Sequence, residues 1–147
     1  MKLNPDCIRD ILIYLEDNIV YENVNISLKH KFINIYDISD ALSKKYNKEE
    51  ILYSVEDLMK SGYVHYCNVD HDKYGCIMNA DIDDVTSIGH EFINNVRSNN
   101  VWEATKNGVK KLESFSVGIL SSVASSILTK FVTSPEFINP LVEAIKK

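Results

Sequence analysis

The clearest structural signal in this chain lies in residues 37–80, which read DISDALSKKYNKEEILYSVEDLMKSGYVHYCNVDHDKYGCIMNA. Asn47 is a good N-cap and Glu50 follows three residues later, so a helix is predicted from Lys48 to Ser61. Its apolar residues recur at helical spacing and should form one buried stripe: Ile51, Leu52, Val55, Leu58 and Met59. Gly62 then ends the helix, because glycine readily adopts the left-handed conformation of a C-cap.

A shorter helix precedes this one, and two strands follow it. Asp37 or Ser39 is expected to cap the shorter helix, which ends near Tyr46 and turns inward Ile38, Ala41 and Leu42. After Gly62, two β-rich runs predict a hairpin with a polar tip at Asn68–Gly75: Tyr63–Tyr66 and Cys76–Met78. Helix, turn, helix and hairpin is the winged-helix order. The predicted fold class is therefore mostly α with a small antiparallel β-sheet, a winged helix-turn-helix with a C-terminal helical extension.

The flanking segments complete the predicted winged-helix domain. A first helix is expected to begin at Asn4 or Pro5 and to bury an apolar stripe: Ile8, Ile11, Leu12, Leu15 and Ile19. Between Tyr21 and Tyr36 apolar and polar residues alternate, which predicts one or two short strands, one of them joining the hairpin. Thr86 or Ser87 should cap a further helix with its own apolar face: Ile88, Phe92, Ile93 and Val96.

The composition changes after residue 98, so we expect a winged-helix domain over residues 1–98 and a helical segment over 99–147. Residues 115–132 contain one charged residue, Lys130, and five serines. A membrane span needs about 20 apolar residues, and the serines dilute this segment. Small residues recur every fourth position and permit close helix approach. We expect a packing or self-association helix, with a core helix or a membrane-associated helix as alternatives, and contact candidates Trp102, Gly118, Ile119, Ser122, Val123, Ser126 and Ile127.

The charge distribution argues against ordinary DNA reading. Residues 1–84 carry a net charge of −7 and residues 85–147 a net charge of +2. DNA affinity comes largely from phosphate neutralisation, and the predicted second helix of the helix-turn-helix is acidic and lacks arginine. We therefore expect a protein contact through Glu49, Glu50, Tyr53, Glu56 and Asp57. The alternative is a DNA-binding regulator that uses a non-standard basic face, with candidates Lys29, Lys31, Lys44, Lys45, Lys106, Lys110 and Lys111.

No pattern in the sequence predicts catalysis, a metal or a cofactor. Asp70, His71 and Asp72 are neighbours at a predicted loop tip and are expected to be solvated. His90-Glu91 lacks the second histidine of a zinc HExxH motif, so His90 should cap or pack. The three cysteines are expected to be free thiols, although Cys67 and Cys76 could face each other across the hairpin. Because no catalytic pattern is found, we expect a non-enzymatic protein. Because no signal peptide pattern follows Met1, we expect it in the cytoplasm of a bacterial host.

Four motifs, which follow one another along the chain, resemble those of a known family: MKLNPDCIRDIL at residues 1–12, YNKEEILY at 46–53, SGYV at 61–64 and DVTSIGHEFI at 84–93. They are similar to the YjcQ-like winged-helix proteins, an uncharacterised phage and prophage family of low-GC Gram-positive bacteria. The resemblance covers residues 1–102 and implies a winged-helix fold in a mobile element. It implies no activity for any residue. The working hypothesis is a homo-oligomeric phage-type protein that binds an unidentified protein, and a membrane-acting effector using residues 115–132 is a second alternative.

Overall fold

The computed structural model describes residues 1–146, apart from the side chains of Val24, Phe137, Ile138, Leu141 and Lys146. The chain forms two compact units, Met1–Ile93 and Asn94–Lys147. The fold class is mostly α with small antiparallel sheets, as predicted. The elements are α1 (Pro5–Asn18), β1 (Tyr21–Val24), β2 (Ser27–His30), β3 (Ile33–Asn34), α2 (Ile35–Leu42), α3 (Lys48–Lys60), β4 (Val64–His71), β5 (Ile77–Val85), α4 (Ser87–Val96), α5 (Asn99–Val109), α6 (Val117–Val132) and α7 (Pro135–Lys146).

Two antiparallel sheets lie in the first unit. The larger has the strand order β3-β5-β4, with Ile33 opposite Ile82 and Val64 opposite Val85. The prediction that a strand from residues 21–36 joins the hairpin is therefore confirmed, because β3 pairs with β5. Strands β1 and β2 form a separate hairpin. Ile26, expected within the alternating strand pattern, lies in its turn and is fully exposed.

The core of the first unit is built by the inward stripes of α1 and α3 together with one face of the sheet. The predicted α1 stripe is buried except for Ile19, which follows the last residue of the helix and is half-buried. The α3 stripe is likewise buried except for the half-buried Leu52. Asn47 caps α3 as predicted, since its side chain accepts from the Glu50 amide at 2.8 Å. Ser61 is the C-cap of α3 and Gly62 follows it at φ +77°, which confirms the prediction that Gly62 ends the helix as the C′ residue.

Helix α2 begins earlier than the sequence predicts. Its N-cap is Asn34, whose side chain accepts from the Tyr36 amide at 3.0 Å, while Asp37 Oδ2 accepts from the Asn34 amide at 3.3 Å. Asp37 is therefore the N3 residue of a capping box, and the prediction that Asp37 or Ser39 caps the helix is wrong. Because the helix ends at Leu42, Ala41 lies in its last turn and is exposed, contrary to expectation.

The β4–β5 hairpin is longer than predicted, and its polar tip is shorter. The tip is closed by Asp72, whose carboxylate accepts from the Tyr74 and Cys76 amides at 2.8 and 2.9 Å. The register places Cys67 opposite Asp81, so the expectation that Cys67 and Cys76 could face each other is wrong. All three cysteines are free thiols, and burial raises the pKa of Cys7 to about 11.

Helix α4 buries three of the four residues predicted for its apolar face, Phe92, Ile93 and Val96. Thr86 Oγ1 accepts from the Gly89 amide at 3.3 Å and so acts as the predicted cap. Ile88, expected on the buried face, is 51% exposed. The physical reason is Gly89, where an added Cβ would lie 2.3 Å from the Tyr63 carbonyl oxygen. Only glycine permits this close backbone approach, and it turns the neighbouring Ile88 outward.

In the second unit α5 packs against α6. At Gly108 an added Cβ would lie 3.0 Å from Val123 Cγ1, so this glycine allows the two helices to lie close together. The buried residues of these helices are Val101, Trp102, Thr105, Val109, Val117, Leu120 and Ala124. The division between the compact units falls at residues 93 and 94, and the expected domain boundary at 98/99 stays a prediction. Among the helices of the described residues, none has the length and apolar character required to cross a membrane.

Asn34 and Asn47 allow a matched test of this fold. Asn47→Ala removes one helix cap and should lower the free energy of unfolding by about 1 kcal/mol. Asn34→Ala removes a cap and also two side-chain hydrogen bonds to β5, at 2.7 Å to Asn79 Oδ1 and 3.0 Å to Asp81 Oδ1. It should therefore cost roughly 2–3 kcal/mol. Urea denaturation measures both values, and equal losses would contradict this role of Asn34.

Candidate protein-contact surface

One side of α3 is buried and the opposite side carries acidic and aromatic groups. Glu49, Tyr53 and Glu56 follow one another at spacings of four and three residues, so they share one face of the helix. Glu49 is exposed, Tyr53 is 39% exposed, and the Glu56 side chain is also 39% exposed. The structure thus brings together three of the five residues predicted for a protein contact.

Helix α2 and strand β5 extend this face with apolar groups. The Tyr36 hydroxyl donates to the Met78 carbonyl at 2.6 Å, and Lys48 Nζ lies 5.1 Å from the centre of the Tyr36 ring. A small groove of about 40 Å³ lies beside them, lined by Ile35, Tyr36, Leu52, Val55, Glu56, Met59 and Ile77. We name the combined area the α3–β5 surface and define it by its accessible residues: Tyr36, Glu49, Leu52, Tyr53, Glu56 and Ile77.

The electrostatics of the α3–β5 surface are those of a solvated acidic rim around an apolar centre. Glu56 Oε1 lies 2.6 Å from Lys60 Nζ, and this hydrogen bond raises the pKa of Lys60. An exposed pair of this kind adds little to stability. Surface carboxylates of this kind affect the rate and specificity of an association more than its strength.

The other two predicted contact residues have structural surroundings. Glu50 Oε1 accepts from the Asn4 side chain at 2.7 Å, which connects the N-terminal ends of α1 and α3. Asp57 follows Tyr53 by four residues, at the edge of the Glu49 stripe; it is half-buried, and its Oδ2 atom is buried without a hydrogen-bond partner. Burial raises the pKa of Asp57 above its ordinary value, partly offset by Lys60.

Sequence reasoning missed the part of this surface that comes from outside α3. Tyr36 and Ile77 reach it through tertiary contacts, and local spacing cannot reveal which strand passes beside which helix. A signal does exist in the residue types, because Tyr36 is an aromatic residue next to Ile35, and the structure leaves Tyr36 38% exposed while it buries Ile35.

The lysines predicted for the DNA alternative lie on several elements. Lys29 and Lys31 lie at the β1–β2 hairpin, Lys44 and Lys45 between α2 and α3, and the other candidates at the end of α5. Lys45 Nζ lies 2.9 Å from Asp10 Oδ2, which also accepts from the Tyr46 hydroxyl at 2.9 Å. Burial and the Asp10 carboxylate raise the pKa of Tyr46.

Lys106 is also engaged within the chain. Its Nζ lies 3.0 Å from Glu103 Oε1 and 5.8 Å from the centre of the Trp102 ring. Its side chain is 20% exposed. The remaining candidates are exposed: Lys29, Lys31, Lys44, Lys110 and Lys111.

The predicted self-association residues fall into two sets. Gly118, Ile119, Ser122 and Ser126 are exposed along one side of α6, and we name this set the α6 ridge. Val123 and Ile127 are half-buried, and Val123 faces Gly108 of α5. Trp102 is only 2% exposed in its own chain, so it offers almost no surface to a partner.

Chemistry-bearing groups do not assemble into a metal centre in the described part of the chain. No group of three or more His, Cys, Asp or Glu side chains there could hold an ion. His90 neither caps α4 nor packs inside the core, because it is exposed and its Nδ1 lies 3.7 Å from Glu16 Oε1.

Comparison with known proteins places the chain in one family. Residues 2–116 match the family described as hypothetical protein DUF2513, and the chain belongs to that family. No curated protein and no solved structure gives a significant match. Membership of an uncharacterised family is as predicted. The phage YjcQ-like assignment is a finer statement that this match does not confirm.

The raised pKa of Asp57 generates a pH-dependent prediction. An acid whose pKa is higher in the folded than in the unfolded state destabilises the fold once it ionises. This penalty is absent below the unfolded pKa and complete above the folded pKa. Asp57→Asn should therefore be more stable than the wild type at neutral pH, and its advantage should shrink as the pH falls towards about 4.

The matched control is Glu49→Gln in the first turn of the same helix. An exposed acid there stabilises the helix dipole, so this change should leave stability unchanged or lower it slightly. Urea denaturation across the pH range measures both variants. A wild type that is more stable than Asp57→Asn at neutral pH would contradict the burial argument.

Proposed function

We propose that this member of the DUF2513 family is a non-enzymatic winged-helix protein of phage or prophage type. It acts by binding a basic protein partner through the α3–β5 surface, and it self-associates through the α6 ridge. The observation that carries the proposal is the acidic and aromatic outer face of α3, the helix that in a DNA-reading winged helix would be basic.

The order of elements supports the winged-helix interpretation. Helix α1, strand β3, helices α2 and α3 and the β4–β5 hairpin follow one another, and β3 pairs with the inner strand of that hairpin. The short connection between α2 and α3 corresponds to the turn of a helix-turn-helix, and the hairpin corresponds to the wing. The four motifs quoted above support the phage-type assignment.

Charge supports a protein partner over a nucleic acid. The first unit contains nine Lys or Arg and seventeen Asp or Glu residues, so its net charge is −8. DNA would meet repulsion over the whole approach, whereas a basic protein would be attracted. The partly exposed Tyr36 and Tyr53 add the aromatic content that is enriched in protein interfaces.

Self-association is supported by the α6 ridge. Its small residues Gly118, Ser122 and Ser126 permit close contact of backbones, and its one large apolar residue, Ile119, is 43% exposed. A second copy of the same ridge would offer the complementary small surface, since twofold contacts bring one patch against itself.

The test of the protein contact is a double charge reversal on α3. The full-length chain carrying Glu49→Lys and Glu56→Lys is compared with the wild type in affinity capture from the cells that encode it, followed by binding of the purified partner. Like charges brought together across an interface cost several kcal/mol, so affinity should fall by at least about tenfold.

The matched control changes the net charge equally at exposed residues of the second unit, Glu113→Lys with Glu136→Lys. It should retain the partner. A captured protein that binds the wild type, the α3 double variant and the control double variant equally would argue against a contact at the α3–β5 surface. Salt-dependent binding to duplex DNA that requires Lys29 or Lys31 would instead favour the regulator alternative.

The α6 ridge is tested by Ser122→Glu in the full chain. A carboxylate at an exposed position should not alter folding, but in a symmetric contact it would face its own copy and separate the subunits. Light scattering after size exclusion should show an oligomer for the wild type and a monomer for the variant. Asn107→Glu, on the exposed side of α5, is the control and should remain oligomeric. A monomeric wild type would refute self-association.

A further inference from the structure

A second cavity lies in the first unit, away from α3. It has a volume of about 330 Å³ and is lined by Glu16, Ile19, Val20, Tyr21, His30, Asp84, Val85 and His90. These residues come from the end of α1, the base of the β1–β2 hairpin, the end of β5 and the start of α4. Its volume lies at the lower end of the range of about 300–1,000 Å³ for ligand pockets.

The hydrogen bond of His30 determines what its ring presents to the cavity. His30 Nδ1 lies 2.7 Å from the Asp83 carbonyl oxygen, and a carbonyl can only accept. Nδ1 therefore carries the proton, and in the neutral ring Nε2 is an acceptor. The ring is held further by an edge-to-face contact with Tyr21, whose centroid lies 4.5 Å away.

The carboxylates of the cavity add acceptors on other walls. Asp84 Oδ1 accepts from the Val85 amide at 2.8 Å, which orients this carboxylate and leaves it further acceptor capacity. Glu16 contributes from the end of α1, with His90 Nδ1 3.7 Å from its Oε1 atom. The walls between these acceptors are aliphatic, supplied by Ile19, Val20 and Val85.

We propose that this cavity binds an arginine side chain of a partner protein. The guanidinium has five N–H donors and no acceptor, and it stacks on aromatic rings. It therefore complements two carboxylates, one imidazole acceptor and the Tyr21 ring, while the aliphatic walls hold its methylene stem. An ammonium is a compact, strongly hydrated charge that uses fewer of these groups.

The rim of the cavity favours arginine within a protein over a free guanidinium compound. Val20 and Tyr21 are 49% and 67% exposed, and Leu28, two residues before His30 on β2, is 68% exposed. Alternate residues of a strand share a face, so Leu28 and His30 lie on the same side of the hairpin. Apolar residues flanking the arginine would cover this rim. The site shares no residue with the α3–β5 surface.

The test is titration of the isotope-labelled full-length chain with the capped tripeptide Leu-Arg-Leu, followed by nuclear magnetic resonance. Saturable shifts should concentrate at the amides that line the cavity. The matched peptide Leu-citrulline-Leu, which lacks the charge, should bind at least about tenfold more weakly. Equal binding of the two peptides, or no saturable shift at millimolar concentration, would overturn the proposal.

Two double variants separate the cavity from general charge. The double variant Glu16→Gln with Asp84→Asn retains oxygen acceptors for neighbouring groups but removes both negative charges. It should therefore lower the affinity for the arginine peptide by about tenfold. Asp17→Asn with Glu22→Gln removes two exposed charges nearby in the sequence and should leave binding unchanged. Equal losses would mean non-specific attraction and would overturn the proposal. Methylguanidinium binding as tightly as the peptide would overturn the assignment to a protein side chain.

The result is independent of the α3 experiment. The double variant Glu49→Lys with Glu56→Lys changes residues that do not line the cavity, so it should not remove binding of the arginine peptide. A failed α3 contact would therefore leave this cavity assignment intact, and a failed cavity would leave the α3 contact intact.

Discussion

The arrangement of α2 and β5 in the first unit depends on the hydrogen bonds of the Asn34 side chain. Its oxygen accepts from the α2 backbone, and its amide donates to Asn79 and Asp81 of β5. One residue thus fixes both the start of α2 and its position along the sheet. Because α2 starts at Ile35, Tyr36 lies in the first turn and its hydroxyl reaches the Met78 carbonyl. The α3–β5 surface is therefore a consequence of a helix cap that is shared with a strand.

The sequence predicted elements whose signals are local. Helix α3 has its cap, apolar stripe and terminal glycine within sixteen residues, Asn47 to Gly62, and each was located correctly. The start of α2 could not be found in this way, since Asp37 and Ser39 are as suitable for a cap as Asn34 until the partners on β5 are known. The orientation of α4 likewise depends on the Tyr63 carbonyl beside Gly89, a contact between residues distant in the sequence.

The residues of the candidate site likewise divide into those with local sequence signals and those whose surroundings depend on tertiary structure. Glu49, Tyr53 and Glu56 were predictable because helical spacing alone places them together. Glu50 and Asp57 have the same residue types but different surroundings, and only tertiary structure shows that Asn4 bonds one and that burial affects the other. The cavity around His30 was not predictable, because its walls come from five elements (α1, β1, β2, β5 and α4) spread over residues 16–90.

The acidic charge of the first unit acts differently at its two surfaces. Around α3 the carboxylates are exposed, so water and salt would screen them, and in the proposed complex they would mainly direct the approach of the partner. In the cavity the acceptors are partly enclosed, and a hydrogen-bonded cation there would be screened less. A basic partner would therefore gain orientation from the first surface and discrimination between its cationic side chains from the second. The net negative charge would attract any cation, whereas the several acceptors of the cavity and the Tyr21 ring would favour the guanidinium of arginine over the ammonium of lysine.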